Sequence, residues 1–476
     1  MMLLWLPAGL LLPMLSGWLL VRLCEGQNTV LFRMERWTLG FLFGVTATMF
    51  VTFLANVSGL ILFTRLGFLA VQLVLVILLG ALWLYRHFRT REGVLLPPHL
   101  NPNPPLPPTP YPLRPPLVIL LILLALWTLA KIAFGSFILV TTPSYFDDTL
   151  KNWNLRAKVF TLTHTLDTGT AQTPATEGLN GYPPTVSLAK ASLVALAGQW
   201  DEGLVNSIHV LWFLAALILL FCALTHRTSW QWALPGTYLL ASLPLYCFDG
   251  LNAYADVFLS AHLFAAVALT VRGLTEADVH RRQSLLRLAA LAAGLLIFTK
   301  NEALVLYLPL LLLVLVGGIL FLRRPHPMTR REVVMAIAWT AGWLLAIGLP
   351  WILFKWAHGL PFGNAKPIAA GFSVGWQPGV LGTLWINAFF EGNWHLLFPL
   401  LLLLLVTGRK HLLRSSLTPL VLFVLAALGL QIALFLFTPL SVEALQQTGI
   451  ARGFVQLAPL VVLLITFLAR DVVKGQ

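Results

Sequence analysis

Apolar runs of about 20 residues, separated by short polar breaks, dominate the chain. About 13 can be delimited, at 2–21, 37–63, 66–85, 117–140, 204–224, 230–248, 252–273, 284–299, 303–322, 333–355, 384–407, 416–439 and 453–470. A helix of that length, rising 1.5 Å per residue, crosses the roughly 30 Å hydrocarbon core of a bilayer. Strands of a transmembrane barrel are about ten residues long and alternate in polarity, whereas 303–322 carries no charge and no such alternation. The pattern therefore predicts an all-α fold, a polytopic transmembrane helical bundle. Composition agrees: of 476 residues 58% are hydrophobic and 10% charged, against about 25% charged in a soluble domain. A water-soluble globule is excluded.

The net charge of +13, from 31 Lys and Arg against 18 Asp and Glu, gains meaning from its placement. Arg86/Arg89/Arg91, Arg281/Arg282, Arg323/Arg324/Arg330/Arg331, Arg409/Lys410/Arg414 and Arg470/Lys474 fall in loops that alternate onto one side. The positive-inside rule makes that side cytoplasmic, with the N-terminus outside and the C-terminus inside. These clusters serve topology and anionic lipid rather than nucleic acid. Residues 1–21 lack a basic n-region and a small-residue cleavage site, so they are expected to be a retained span. Cys24, Cys222 and Cys247 show no paired spacing.

Two connections are long. A Pro-rich stretch at 97–116, within a cytoplasmic linker at 86–116, favours an extended conformation and separates a three-span region, 1–85, from the main body, 117–476. It reads as a spacer, or as a ligand for a proline-reading partner. The other, 141–203, is too polar to cross and rich in aromatic residues; short helices at the membrane interface are expected there, with Trp153 and Trp200 at headgroup depth. A shorter external loop at 357–380, with His358, Lys366 and Trp376, is a lid or a plain connector.

The side opposite the arginine clusters collects acids: Asp147, Asp148, Asp167, Glu177, Asp201, Glu202, Asp249, Glu302 and Glu443, with Asp256 and Glu391 just inside spans. Adjacent carboxylates such as Asp147 and Asp148 repel each other beside low-dielectric material, which raises one toward a general-base pKa; alternatively Asp148 caps a helix. Asp256 is an acid inside an apolar run, and on a helix it would share a face with Asn252 and Ser260, lining a polar groove. Lys300, in the turn Lys300-Asn301-Glu302, is a cation on the acidic side; it binds an anion, pairs with Glu302 or snorkels. Arg452 opens the last span as a second such cation. Glu391 and His395, four apart, would face each other on a helix but are too few for a metal site. No Walker loop, dinucleotide fingerprint, nucleophile elbow or zinc helix is present in the sequence.

Taken together, the Asp147-Asp148 pair in the first large external loop, Tyr182-Pro183-Pro184 near its end, NAYAD with Asp256 and TKNE with Lys300 resemble the bacterial GT-C glycosyltransferases. The likeness is to the family 39-like group of protein O-mannosyltransferases and the lipid A aminoarabinose transferase, over about 117–476. It implies transfer of a sugar from a polyprenyl-phosphate donor to a glycan, lipid or protein acceptor on the external face, with inversion, in a bacterial inner membrane. It also implies that Asp148 or Asp147 is the base, that Asp256 is the second acid, and that Lys300 and Arg452 touch the donor phosphate. Tyr182, Asn252, Glu302, Glu391 and His395 complete the expected substrate-binding set. Tyr182 stands where the aminoarabinose enzyme has a lysine, for which Lys190 or Lys151 compensates. The lipid-linked donor brings its own activated bond; a divalent metal is compatible with the paired acids but not required. The competing classes are a secondary transporter or flippase, with Asp256 and Lys300 as coupling charges, and a noncatalytic scaffold.

Overall fold

The computed structural model describes residues 2–93, 114–146, 148–168, 181–322, 327–362, 375–412 and 416–474. Asp147, the prolines of 97–113, Glu177, Arg323, Arg324, Lys366 and Arg414 lie outside the described residues. All regular structure described is helical, as the apolar pattern predicts. In chain order the helices are α1 (Trp5–Glu25), α2 (Arg33–Val57), α3 (Arg65–Gly93), α4 (Pro115–Thr141), α5 (Leu155–Thr163), α6 (Thr185–Ala197), α7 (Glu202–Thr225), α8 (Trp230–Ser242), α9 (Pro244–Gly250) and α10 (Asp256–Thr275). They continue as α11 (Val279–Ile297), α12 (Leu308–Phe321), α13 (Arg330–Trp343), α14 (Leu349–Ala357), α15 (Val380–Phe389), α16 (Leu397–Thr407), α17 (Arg409–Leu412), α18 (Thr418–Phe437), α19 (Ser441–Leu445) and α20 (Gly449–Lys474).

Among the described residues, ten helical segments are long and apolar enough to cross a membrane. The other three expected spans differ for identifiable reasons. Residues 230–248 break at Leu243, which is extended, and Pro244, which has no amide hydrogen to donate, opens a new helix, α9. The run 384–407 breaks between α15 and α16 at a turn with Gly392 at φ 75 and His395 at φ 48. The expected span at 284–299 is continuous as α11 but carries Arg281, Arg282 and Arg287, which lower its hydropathy. The start of 252–273 also shifts: residues 251–255 form turns and α10 begins at Asp256.

α10 and α20 form the centre, almost wholly buried, with α7, α11 and α18 packed around them. α1 and α2 pack on each other and on α6, α7 and α11. Their contact is backbone to backbone, since a Cβ on Gly17 would stand 1.8 Å from the Gly40 carbonyl oxygen, the close approach that small residues permit between membrane helices. The loop 141–203 does form short helices, and the second of them packs inside the protein rather than standing free on its surface. α6 is buried among α1, α2, α3, α5 and α7, because its Ala and Ser residues let neighbours close in, and Trp153 is completely buried. Trp200 is half-buried, under the Lys158 ammonium.

The bundle has two chemically different ends. At one, α10 and α20 finish with Arg272 and Arg470, near the ion pairs Arg36–Glu25, Arg272–Glu35 and Arg282–Glu332. At the other, the same helices begin with Asp256 and Arg452. Sixteen residues of helix separate Asp256 from Arg272, about 24 Å.

Candidate active site

At its acidic end the bundle closes on the Asp256 carboxylate, which is fully buried in the first turn of α10, where the helix dipole favours a negative charge. Its Oδ1 accepts from Lys300 Nζ at 2.8 Å and from Gln456 Nε2 at 2.7 Å, and its Oδ2 from Arg452 Nε at 3.0 Å. The three donors come from the turn after α11 and from one face of α20, where Arg452 and Gln456 are four residues apart. Gln456 is fixed in turn: its Oε1 accepts from the Tyr307 hydroxyl at 2.7 Å, and that hydroxyl accepts from Gln431 Nε2 of α18 at 2.6 Å. An acid that would be costly to bury alone is thus fully solvated by protein.

Arg452 extends the cluster outward, its Nη2 lying 2.7 Å from Asp148 Oδ2, and both side chains are partly exposed. Asp148 stands at the start of a π turn, Thr149–Asn154, without a capping bond from its side chain. A second π turn, Ala303–Tyr307, begins just after Lys300 and Glu302; such turns recur at functional sites. Lys300 Nζ is also 3.3 Å from Glu302 Oε1 and lies 5.8 Å from the centre of the Tyr182 ring. Burial opposes the Lys300 charge, but Asp256 and Glu302 outweigh it and hold the ammonium above its ordinary pKa. Burial, reinforced by Glu302, keeps the Tyr182 hydroxyl protonated.

Of the residues expected from sequence, Asp148, Asp256, Lys300, Arg452, Tyr182 and Glu302 converge. Asn252 lies nearby, lining a cavity of about 40 Å³ with Thr149, but not on a shared face of α10: its amide donates to the Phe248 carbonyl in the preceding turn. Glu391 and His395 do not face each other. With no helix there, Glu391 accepts from Asn387 and Asn393, and the His395 ring meets the Ser242 carbonyl oxygen. Lys190 is buried and donates to Asn154 and Asn206, tying α6 to α7, while Lys151 is exposed; Lys190 is occupied by that tie rather than standing in for the missing lysine. Among the described residues no three His, Cys, Asp or Glu side chains converge as metal ligands. An apolar cavity of about 760 Å³ between α1, α2 and α7 is lined by none of the converging residues.

Sequence reasoning missed Gln431 and Gln456, which only folding carries to Asp256, and the weight of Asp249. That acid, in α9, is buried and feels Asp256, Arg452, Lys300 and Asp148; burial first and the Asp256 charge second push its carboxyl up to about 8.

Neither a protein-family model nor any curated protein matches the sequence. Among solved structures the chain is similar to ArnT from Cupriavidus metallidurans in the apo state, with a TM-score of 0.51 and 16% identity over 74% of this chain and 60% of that one. The chain thus matches less than two thirds of that protein's length. The likeness is one of architecture: this is an all-helical membrane protein with a GT-C-type fold.

Proposed function

We propose that the chain is an integral membrane glycosyltransferase that moves a sugar from a polyprenyl-phosphate carrier to an acceptor hydroxyl on the extracytoplasmic face, with inversion. The observation that carries this reading is the convergence of Asp148, Arg452, Asp256 and Lys300, which lie far apart in sequence, at one end of the bundle. The GT-C-type fold supports it. The arginine-rich opposite end is assigned to the cytoplasm by the positive-inside rule.

In this reaction the acceptor oxygen forms a bond to the anomeric carbon as the bond from that carbon to the phosphate oxygen breaks. The electron pair leaves with the carrier, and a phosphodiester monoanion becomes a phosphate monoester of higher charge. Asp148, partly exposed at the outer edge of the cluster, takes the acceptor's proton, because a neutral alcohol is a weak nucleophile. Lys300 and Arg452 stabilise the charge that grows on the leaving phosphate, an interaction stronger in the transition state than in the ground state. Asp256 touches neither partner; it orients both cations. Tyr182, packed edge-on against Trp153 with its ring under Lys300, forms one wall for the sugar.

The test is turnover in proteoliposomes with a panel of synthetic polyprenyl-phosphate pentoses and hexoses, a membrane extract as acceptor, and release of polyprenyl phosphate as readout. Asp148→Asn is expected to lower kcat by at least about 100-fold. Full activity of that variant would remove the base assignment, and no turnover of any donor by the parent would remove the reading.

A further inference from the structure

The two cations nearest the proposed reaction are already compensated: Lys300 and Arg452 face Asp148, Asp256 and Glu302. A phosphate arriving there meets at least as much negative as positive charge, so ground-state affinity for it has to come from elsewhere. One step further, beyond the Tyr182 backbone, two cations lie over aromatic rings, Arg156 over Phe160 and Lys355 over Trp351 and Phe362, and have no carboxylate partner among the described residues. Arg156, in α5, is 3% exposed; its Nη2 donates to the Tyr182 carbonyl at 3.2 Å, while Nε and Nη1 meet no acceptor among the described residues. Lys355, in α14, is completely buried and donates to the Gly181 carbonyl at 2.6 Å and to Asn301 Oδ1 at 2.9 Å. Among the described residues neither forms an ion pair with a carboxylate, and the Arg156 charge reaches Lys355. Two buried like charges within electrostatic reach of each other, with only neutral acceptors and rings around them, are unfavourable until an anion joins them.

Position fits the same conclusion. Asn301 follows Lys300 directly, and the carbonyls of Gly181 and Tyr182 are held by Lys355 and Arg156 while the Tyr182 ring meets Lys300. Asp148 and Arg156 sit eight residues apart along one nearly continuous helical stretch, about two turns, most of it the π turn Thr149–Asn154. That spacing leaves room for one sugar ring between a base and a phosphate anchor.

We propose that Arg156 and Lys355 form an anion subsite that holds the phosphate of the lipid carrier in the ground state, beside Lys300 rather than on it. This rests on the glycosyltransferase reading. The guanidinium offers two free N–H groups to the phosphate oxygens, and the ammonium a point charge. Lys300 then acts on the phosphate as the bond to the sugar breaks.

The test is equilibrium binding to the full chain in nanodiscs, with polyprenyl monophosphate, neutral polyprenol of the same length and inorganic phosphate as probes. The parent is expected to prefer polyprenyl phosphate over polyprenol by at least about tenfold. Arg156→Gln and Lys355→Gln should each lose most of that preference while binding polyprenol within about twofold of the parent, which also certifies their fold. The charge-keeping Arg156→Lys and Lys355→Arg should retain it within about threefold, and Lys300→Ala should lose turnover with a change in Kd of less than about threefold. Neutral variants that keep the preference overturn the subsite alone. Charge-keeping variants that lose it as fully as neutral ones also overturn it, since the pair would then only clamp the Tyr182 loop. Inorganic phosphate binding as tightly as polyprenyl phosphate would overturn the assignment to the carrier, and a parent that does not distinguish polyprenyl phosphate from polyprenol would overturn the glycosyltransferase reading with it.

Discussion

One carboxylate organises the site. Asp256 takes three donors on two oxygens, two of them charged, and it is the shared partner that aims Lys300 and Arg452. It was legible in the sequence for the same reason: an acid in an apolar run has to be bought back by partners, and Lys300 and Arg452 were cations on the acidic side. Arg156 and Lys355 were not legible, because Lys355 ends an apolar run like any rim lysine and only the fold sets it near Arg156. Glu391 and His395 were misread because spacing of four brings side chains together only on a helix. Asp249 carries its own prediction. With its pKa near 8, it is a neutral acid at pH 7 and ionises as pH rises through about 8, adding negative charge beside Asp256 and Asp148. An acid raised in the fold lowers stability as pH climbs from its unfolded value, near 3.8, to about 8. Affinity for polyprenyl phosphate should therefore fall between pH 7.5 and 9, and Asp249→Asn should make that fall smaller. An equal fall in the variant would mean that another group titrates.

Hydropathy reads length and polarity but not continuity, and the differences between expected and observed elements follow from that. It merged α8 with α9 across Pro244 and α15 with α16 across Gly392, because the residues at both breaks are flanked by apolar neighbours. It placed the α10 start four residues early, where Asn252 caps a turn instead. Nor does it show that α6, with Lys190 and several serines, is packed on all sides by other helices, since that burial depends on the fold. Helix contacts carry a prediction at this scale. Gly17 has no space for a Cβ against the α2 backbone, whereas a Cβ at Gly342, in α13, would meet nothing within 4 Å. Gly17→Ala should destabilise by about 1–3 kcal/mol, as forced overpacking does, and lower Tm in detergent. Gly342→Ala should leave Tm unchanged or raise it, by up to about 1 kcal/mol of helix propensity. Equal melting of the two variants would show that α1 and α2 have room to separate.

At the scale of the molecule, the fold class was legible because lipid imposes it: in hydrocarbon every backbone group must be bonded within its own helix or a closed barrel, and the apolar runs leave the helix. The segregation of charge was legible too, and the structure keeps it, with arginine-rich pairs at one end of α10 and α20 and the Asp256 cluster at the other. What no pattern along the chain conveys is how α5, α6, α14 and the turn after α11 meet around Tyr182. That meeting turns scattered polar residues into a strip running from Asp148 through Arg452, Asp256 and Lys300 to Arg156 and Lys355. The most direct measurement of whether this strip is a transfer site is a structure of the complex with polyprenyl phosphate. Its phosphate should lie about 3 Å from donors of Arg156 and Lys355, with Lys300 alongside and Asp148 across a gap the size of one sugar. A phosphate lodged at the arginine-rich end of the bundle would contradict the account.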